Sequence, residues 1–295
     1  MVCKLNRLAA GAGIALFVFA LLAMTLQIAA AKSKKIQVPD YCQQIAQSDP
    51  RLRPLSGVCE FALSQSNLPK FVCNETIQLF VSDTLHSNWR KLDTLEAEVT
   101  FEHGKGERYA KVEVNNHPVR GLSGRYTPWE VLSFLDRRLG DWLDLGLFGG
   151  ELLTVFAPSS KASFQYKDEI TIAGDRLVPF DVQVNRKNNS TYFLASREGS
   201  LWPGFTGLLW VDKNTLLLRR MVLHATEIDP KFPIDAVTSS SNYDLVAIPE
   251  LGQLLLPTSG ESIACMSRQN QCWRNVVTFD NCHKFAGKAR IVPAQ

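Results

Sequence analysis

Leu95-Glu96-Ala97-Glu98-Val99-Thr100-Phe101-Glu102 alternates apolar and polar side chains residue by residue. Successive side chains of a strand point to opposite faces, so this stretch reads as a strand with one dry face and one wet face. His103-Gly104-Lys105-Gly106 is a turn. Ala110, Val112 and Val114 then alternate with Tyr109, Lys111 and Glu113, which completes a hairpin. Downstream, short strands follow at Phe164–Tyr166, Ile170–Ile172, Phe180–Val184, Tyr192–Ala195, Gly207–Val211 and Leu216–Ile228. After the Pro230–Pro233 break come Tyr243–Ile248, Gln253–Leu256, Gly260–Met266, Trp273–Phe279 and a short strand near Ala289–Val292. About ten antiparallel strands at this spacing make the chain mainly β, as a large sheet, a sandwich or a barrel.

Two helical regions interrupt this pattern. Pro54 opens a helix over Leu55–Ser66, with Leu55, Val58, Phe61, Ala62 and Leu63 on one side, and Asn67-Leu68-Pro69 ends it. The second is an insertion at 126–150. Thr127-Pro128-Trp129-Glu130 supplies a capping hydroxyl, a proline at the first helical position and a glutamate three residues after the cap. Trp129, Leu132, Leu135, Leu139 and Trp142 then recur at helical spacing among charged residues, and Gly140, Gly146, Gly149 and Gly150 loosen the exit. Such a helix must bury its greasy face on the sheet, either as a lid over a concave surface or as a plug that completes the core.

At the N-terminus, 24 uncharged residues lie between Arg7 and Lys32 and end in Ala29-Ala30-Ala31. Small residues at 29 and 31 fit a secretory signal peptide spanning residues 1–31 and cleaved after Ala31; the rival reading is a retained membrane anchor. Residues 32–54 read as a leader with a short helical piece around Tyr41–Gln47, and 55–295 as a single domain. Six cysteines remain after Cys3: Cys42, Cys59, Cys73, Cys265, Cys272 and Cys282. An even number in an exported chain points to disulfides. Six cysteines allow fifteen connectivities; the geometrically favoured set staples Cys265 to Cys272, fastens the first strand to the last through Cys73 and Cys282, and leaves Cys42 for Cys59.

Beyond residue 31 the chain carries 30 basic and 29 acidic side chains. So even a balance provides no broad basic field for nucleic acid. There is no G-x-S-x-G, P-loop, H-E-x-x-H or dinucleotide fingerprint, and no zinc-like cysteine spacing. The five histidines, at 86, 103, 117, 224 and 283, are scattered. No cofactor is implied, and the chain reads as a non-enzyme. Arg219 shares its strand parity with Leu217, Met221 and Leu223, so it is the charge at risk of burial, needing either a carboxylate or an anionic head group. Trp129, Trp142, Trp202 and Trp210 either line an acyl cavity or fill the core of a curved sheet.

Several phrases together carry a resemblance. They are Asn67-Leu68-Pro69-Lys70-Phe71-Val72-Cys73-Asn74-Glu75-Thr76, Trp89-Arg90-Lys91-Leu92-Asp93-Thr94-Leu95, Gly207-Leu208-Leu209-Trp210-Val211-Asp212-Lys213-Asn214-Thr215 with Leu217-Leu218-Arg219-Arg220, Pro257, and Asn281-Cys282-His283-Lys284-Phe285. Their order resembles a group of exported, mostly uncharacterised acidobacterial proteins over roughly residues 55–292. At the level of architecture it is similar to the half-barrel of LolA-type periplasmic lipoprotein carriers. That resemblance implies an incomplete antiparallel barrel that wraps helices over a hydrophobic cavity for acyl chains; the candidate cavity or lid residues are Trp129, Leu132, Leu135, Leu139, Trp142, Trp210, Arg219 and Met221. The expected function is a periplasmic or secreted, non-catalytic binding or carrier protein for a lipid, an acylated protein or another apolar ligand. The alternatives are an envelope sensor or assembly module that docks envelope proteins through the lid, and an enzyme on the same scaffold.

Overall fold

Leu95, Ala97, Val99 and Phe101 all turn to one face of a strand at Arg90–Glu102 (β2), and all four are buried. That face continues across the sheet of a computed structural model, which describes residues 38–64, 68–85, 87–102, 106–135, 150–190, 192, 194–196 and 199–285. The expected signal peptide, Leu139, Trp142, the glycines at 140, 146 and 149, and the short strand near 289–292 lie outside the described residues.

Val38–Gln295 is one compact unit. It opens with two helices, α1 (Val38–Ser48) and α2 (Arg53–Ser64). The leader thus contains a longer helix than its sequence announces, and Cys42–Cys59 bonds that helix to the next. Four strands follow β2's hairpin logic: β1 (Phe71–Ser82), β2, β3 (Gly106–Val114) and β4 (His117–Pro118). Helices α3 (Pro128–Leu135) and α4 (Gly150–Phe156) precede β5 (Ser163–Tyr166), β6 (Ile170–Ile172) and β7 (Asp175–Val184). A small hairpin, β8 (Leu194–Ser196) and β9 (Gly199–Leu201), leads to β10 (Gly204–Asp212) and β11 (Leu218–Thr226). The chain closes with β12 (Ala236–Ile248), β13 (Gly252–Met266) and β14 (Gln271–Lys284).

Twelve of these strands form one sheet in the order β4-β3-β2-β1-β14-β13-β12-β11-β10-β7-β5, with β6 also on β7. Every pairing within this sheet among the described residues is antiparallel. The order does not close on itself, so the protein is mainly β with a large open antiparallel sheet. The first long strand lies beside the last, and Cys73–Cys282 joins them; Cys265–Cys272 ties β13 to β14 next to their turn.

The helices explain why one face is dry throughout. Leu55, Val58 and Ala62 of α2, with Leu152, Val155 and Phe156 of α4, pack on Val178, Phe180, Val182, Phe205, Leu209, Met221 and Leu223. On the other half of the sheet, Val131 and Leu135 of α3 join Ile77, Leu95, Val99, Phe101 and Val277, together with Ile248 and Leu256 near the tip of the β12–β13 hairpin. The cap of α3 is reciprocal: the Glu130 amide donates to Thr127 Oγ1 at 3.2 Å and the Thr127 amide to Glu130 Oε2 at 2.6 Å. Helix α3 lies within the expected insertion at 126–150, whereas α4 begins where that insertion ends and is a further apolar helix.

Candidate functional site

The pairing register sets β12, β13 and β14 side by side at the middle of the inner face. Ser239 lies opposite Ser262, and Ser262 opposite Asn275; one row along, Ser241 lies opposite Gly260. All of these are buried, and Ser241 and Asn275 are fully so. On the β11 side the same rows continue into Leu223 and Met221, and on the β1 side into Leu79 and Ile77. A seam of small polar side chains thus runs between two apolar fields. Tyr243, next along the same face of β12, and Glu151, in the first turn of α4, complete it.

The contacts within the seam are incomplete. Ser241 Oγ donates to Glu151 Oε2 at 2.6 Å, and Asn275 Nδ2 donates to Ser262 Oγ at 3.2 Å. The Ser239 hydroxyl, the Tyr243 hydroxyl and the Asn275 carbonyl oxygen are buried without a hydrogen bond of good geometry among the described residues, although Ser239 lies near enough to Glu151, and Ser241 to Tyr243, to bias the ionisation of Glu151 and Tyr243. Burial raises the Glu151 carboxyl above its ordinary value, while Ser241 and then Ser239 pull it back. Burial likewise pushes the Tyr243 phenol well up, helped by the nearby Glu151 charge and opposed by Ser241. A carboxyl and a phenol in this setting favour their neutral, proton-bearing forms. The seam therefore offers hydroxyl donors and an amide carbonyl acceptor around a single carboxyl group.

The residues singled out from the sequence scatter around this site. Met221 is on the inner face against Ser241, and Leu135 is buried on the other half with α3. Leu132 is half-buried, whereas Trp129 is 58% exposed. Trp210 pairs with Arg220 and Pro179 while its neighbour Leu209 turns inward, so Trp210 is on the outer face, with the Arg220 guanidinium 6.0 Å from its ring. Arg219 does not keep its strand parity. The register slips there, with Trp210 opposite Arg220 but Val211 opposite Leu218, and Leu218 takes the buried position. This bulge swings Arg219 off the inner face to Asp244 at 2.7 Å and Asp212 at 3.7 Å. Asp212 in turn accepts the amides of Asn214 and Thr215 at 2.9 and 2.8 Å, so the arginine braces the β10–β11 turn. Trp202 lines a separate open cleft of about 510 Å³ with Arg186, Lys187 and Glu227. His224 is exposed and meets Thr238 Oγ1 at 3.0 Å.

The seam itself was not singled out from the sequence. Ser239-Ser240-Ser241 lacks apolar alternation, so the sequence places the start of the strand at Tyr243, whereas it begins at Ala236. Its signal was the frame around the serines, because Val237 and Tyr243 keep period two across them. The parallel signal on β13 was the small-residue series Gly260, Ser262 and Ala264.

No family model matches this chain, and no curated protein does. Among solved structures, a DUF1329 family protein from Desulfovibrio piger aligns at a TM-score of 0.38 and 10% identity, over 80% of this chain and 95% of its own. An outer membrane lipoprotein-sorting protein domain from Vibrio parahaemolyticus aligns at 0.38 and 11%, over 78% and 93%. The Mycobacterium tuberculosis lipoprotein LppX aligns at 0.25 and 9%, over 81% and 98%. Likeness at this level assigns neither a ligand nor an activity to this chain. Three disulfides fit an oxidising compartment. No described helix is long and apolar enough to cross a membrane.

Proposed function

We propose that this chain is an exported, non-catalytic binding or carrier protein that shelters a lipid or an acylated protein on the inner face of its open sheet. In this reading residues 1–31 are a cleaved signal peptide, 32–54 a leader and 55–295 one domain with its helical insertion at 126–150. The observation that carries the proposal is the seam, where unpartnered polar atoms sit between two apolar fields. Burying such groups opposes folding by about 1–3 kcal/mol each, so each calls for a partner such as an ordered water, an ion or a ligand group. An amphipathic molecule matches both parts of the surface. Its polar end meets the seam, and its acyl chain replaces contacts that helices make with the flanking walls. Each methylene removed from water contributes about 0.8 kcal/mol.

The helices are the movable cover in this reading. Met221 belongs to the wall, and Leu132 and Leu135 to the cover. Trp210 and Arg219 have no part in it, since they belong to the outer face. Native mass spectrometry of the mature protein purified from its own envelope is the test. An added mass that organic extraction identifies as an acyl lipid or acylated peptide is expected. A bare polypeptide that also fails to take up added lipid rejects the proposal.

A second reading rests on Trp129 and Phe134, which α3 leaves 58% and 47% exposed while Val131 and Leu135 face the core. It makes α3 a docking surface for an envelope protein. Replacing both with serine would then abolish co-purification of that protein while lipid binding stays unchanged.

A further inference from the structure

The seam also restricts which ligand fits it. Its side chains are Ser239, Ser241, Ser262, Asn275, Tyr243 and Glu151, and no lysine, arginine or histidine among the described residues shares that part of the inner face. The nearby strand cations are engaged elsewhere: Arg219 with Asp244 and Asp212, Arg274 with Glu261 at 2.5 Å. A phosphate placed here would meet a carboxyl group and no counter-charge, in a site closed to water. An unpaired buried anion is strongly disfavoured, whereas a neutral dipole needs only hydrogen bonds.

The unpartnered atoms define the complementary group. Ser239 and Tyr243 each present a hydroxyl able to donate, and Asn275 presents a carbonyl oxygen able to accept. We infer that the seam binds an uncharged head group carrying both a carbonyl acceptor and a hydroxyl or amide donor, as in an acylglycerol or an N-acyl amide, and rejects phosphate-bearing lipids. This rests on the carrier reading above and narrows its ligand class.

The experiment compares three probes with one common chain on the full mature protein, by displacement of a fluorescent fatty-acyl reporter. They are 1-oleoylglycerol, N-oleoylglycinamide and 1-oleoylglycerol 3-phosphate, the last differing from the first only by its phosphate. Both neutral probes are expected to bind at least about tenfold more tightly than the phosphate, and the tighter of the two identifies the head group. Tyr243→Phe is expected to weaken the neutral probes about tenfold without lowering Tm, because the hydroxyl removed makes no hydrogen bond of good geometry among the described residues. A purely structural role for that hydroxyl would move Tm and leave affinity alone, and that result overturns the inference. Equal or tighter binding of the phosphate overturns it too, while leaving the carrier reading standing. Failure of all three probes and the reporter to bind removes the carrier reading and the inference with it.

Discussion

Neighbouring strands of one sheet face carry opposite chemistry. On β7, β10 and β11 the inner face is Phe180, Val182, Phe205, Leu209, Met221 and Leu223, packed under α2 and α4. One strand further, on β12 and β13, the same face is Ser239, Ser241, Gly260 and Ser262. Both regions are dry, and both are held by the same antiparallel ladder. Packing alone therefore did not choose the second set, since apolar residues of similar size would have avoided stranded dipoles. The first region secures the fold, and in the carrier reading proposed above the second is where stability is given up for binding.

The contrast breaks most visibly if the apolar region is cut. Phe180→Ala empties a fully buried ring position and is expected to lower unfolding free energy by about 3–5 kcal/mol, measured by urea denaturation. A loss below about 1 kcal/mol would mean that the region relaxes freely and is no rigid wall.

A smaller effect is expected at the boundary of the two regions. Glu151 has a raised carboxyl in the fold, so its contribution is complete below the ordinary glutamate value of 4.5 and is lost as pH rises through the raised one. Glu151→Gln keeps the hydrogen-bonding shape and cannot ionise. Wild-type Tm should therefore fall relative to this variant as pH climbs above 4.5, by several degrees in calorimetric scans. Parallel curves for the two proteins from pH 4 to pH 8 would show that Glu151 is solvated after all.

The smallest effect is expected inside the seam. Ser239→Ala deletes a hydroxyl that makes no hydrogen bond of good geometry among the described residues, so unfolding free energy should hold or rise, changing by no more than about 1 kcal/mol. A clear loss of stability would show that the hydroxyl is satisfied in the fold, and the difference between the two regions would shrink to one of side-chain size.

Much of the architecture was legible in advance because antiparallel strands with one wet face write their period into the chain. Leu95, Ala97, Val99 and Phe101 are an instance, and the Thr127–Glu130 cap is another, since both depend on residues close in sequence. Arg219 was placed by the same parity, and there the rule misled. A bulge adds one residue to a strand and reverses the faces beyond it, and no residue pattern in Leu217-Leu218-Arg219-Arg220 announces one. The serine run of β12 was passed over for a related reason. Polar residues in a strand look like a loop until the neighbours that bury them are known.

Local order thus came from the chain itself: strand period, helix caps and an even set of six cysteines act over a few residues or through composition. What lies against what came only from the folded sheet. Ser241 and Glu151 are separated by 90 positions and meet at 2.6 Å, and Asn275 reaches Ser262 across a strand boundary. Whether a hydroxyl is wet and ordinary or dry and unpartnered depends on such distant neighbours, because desolvation belongs to the assembled environment and not to the residue.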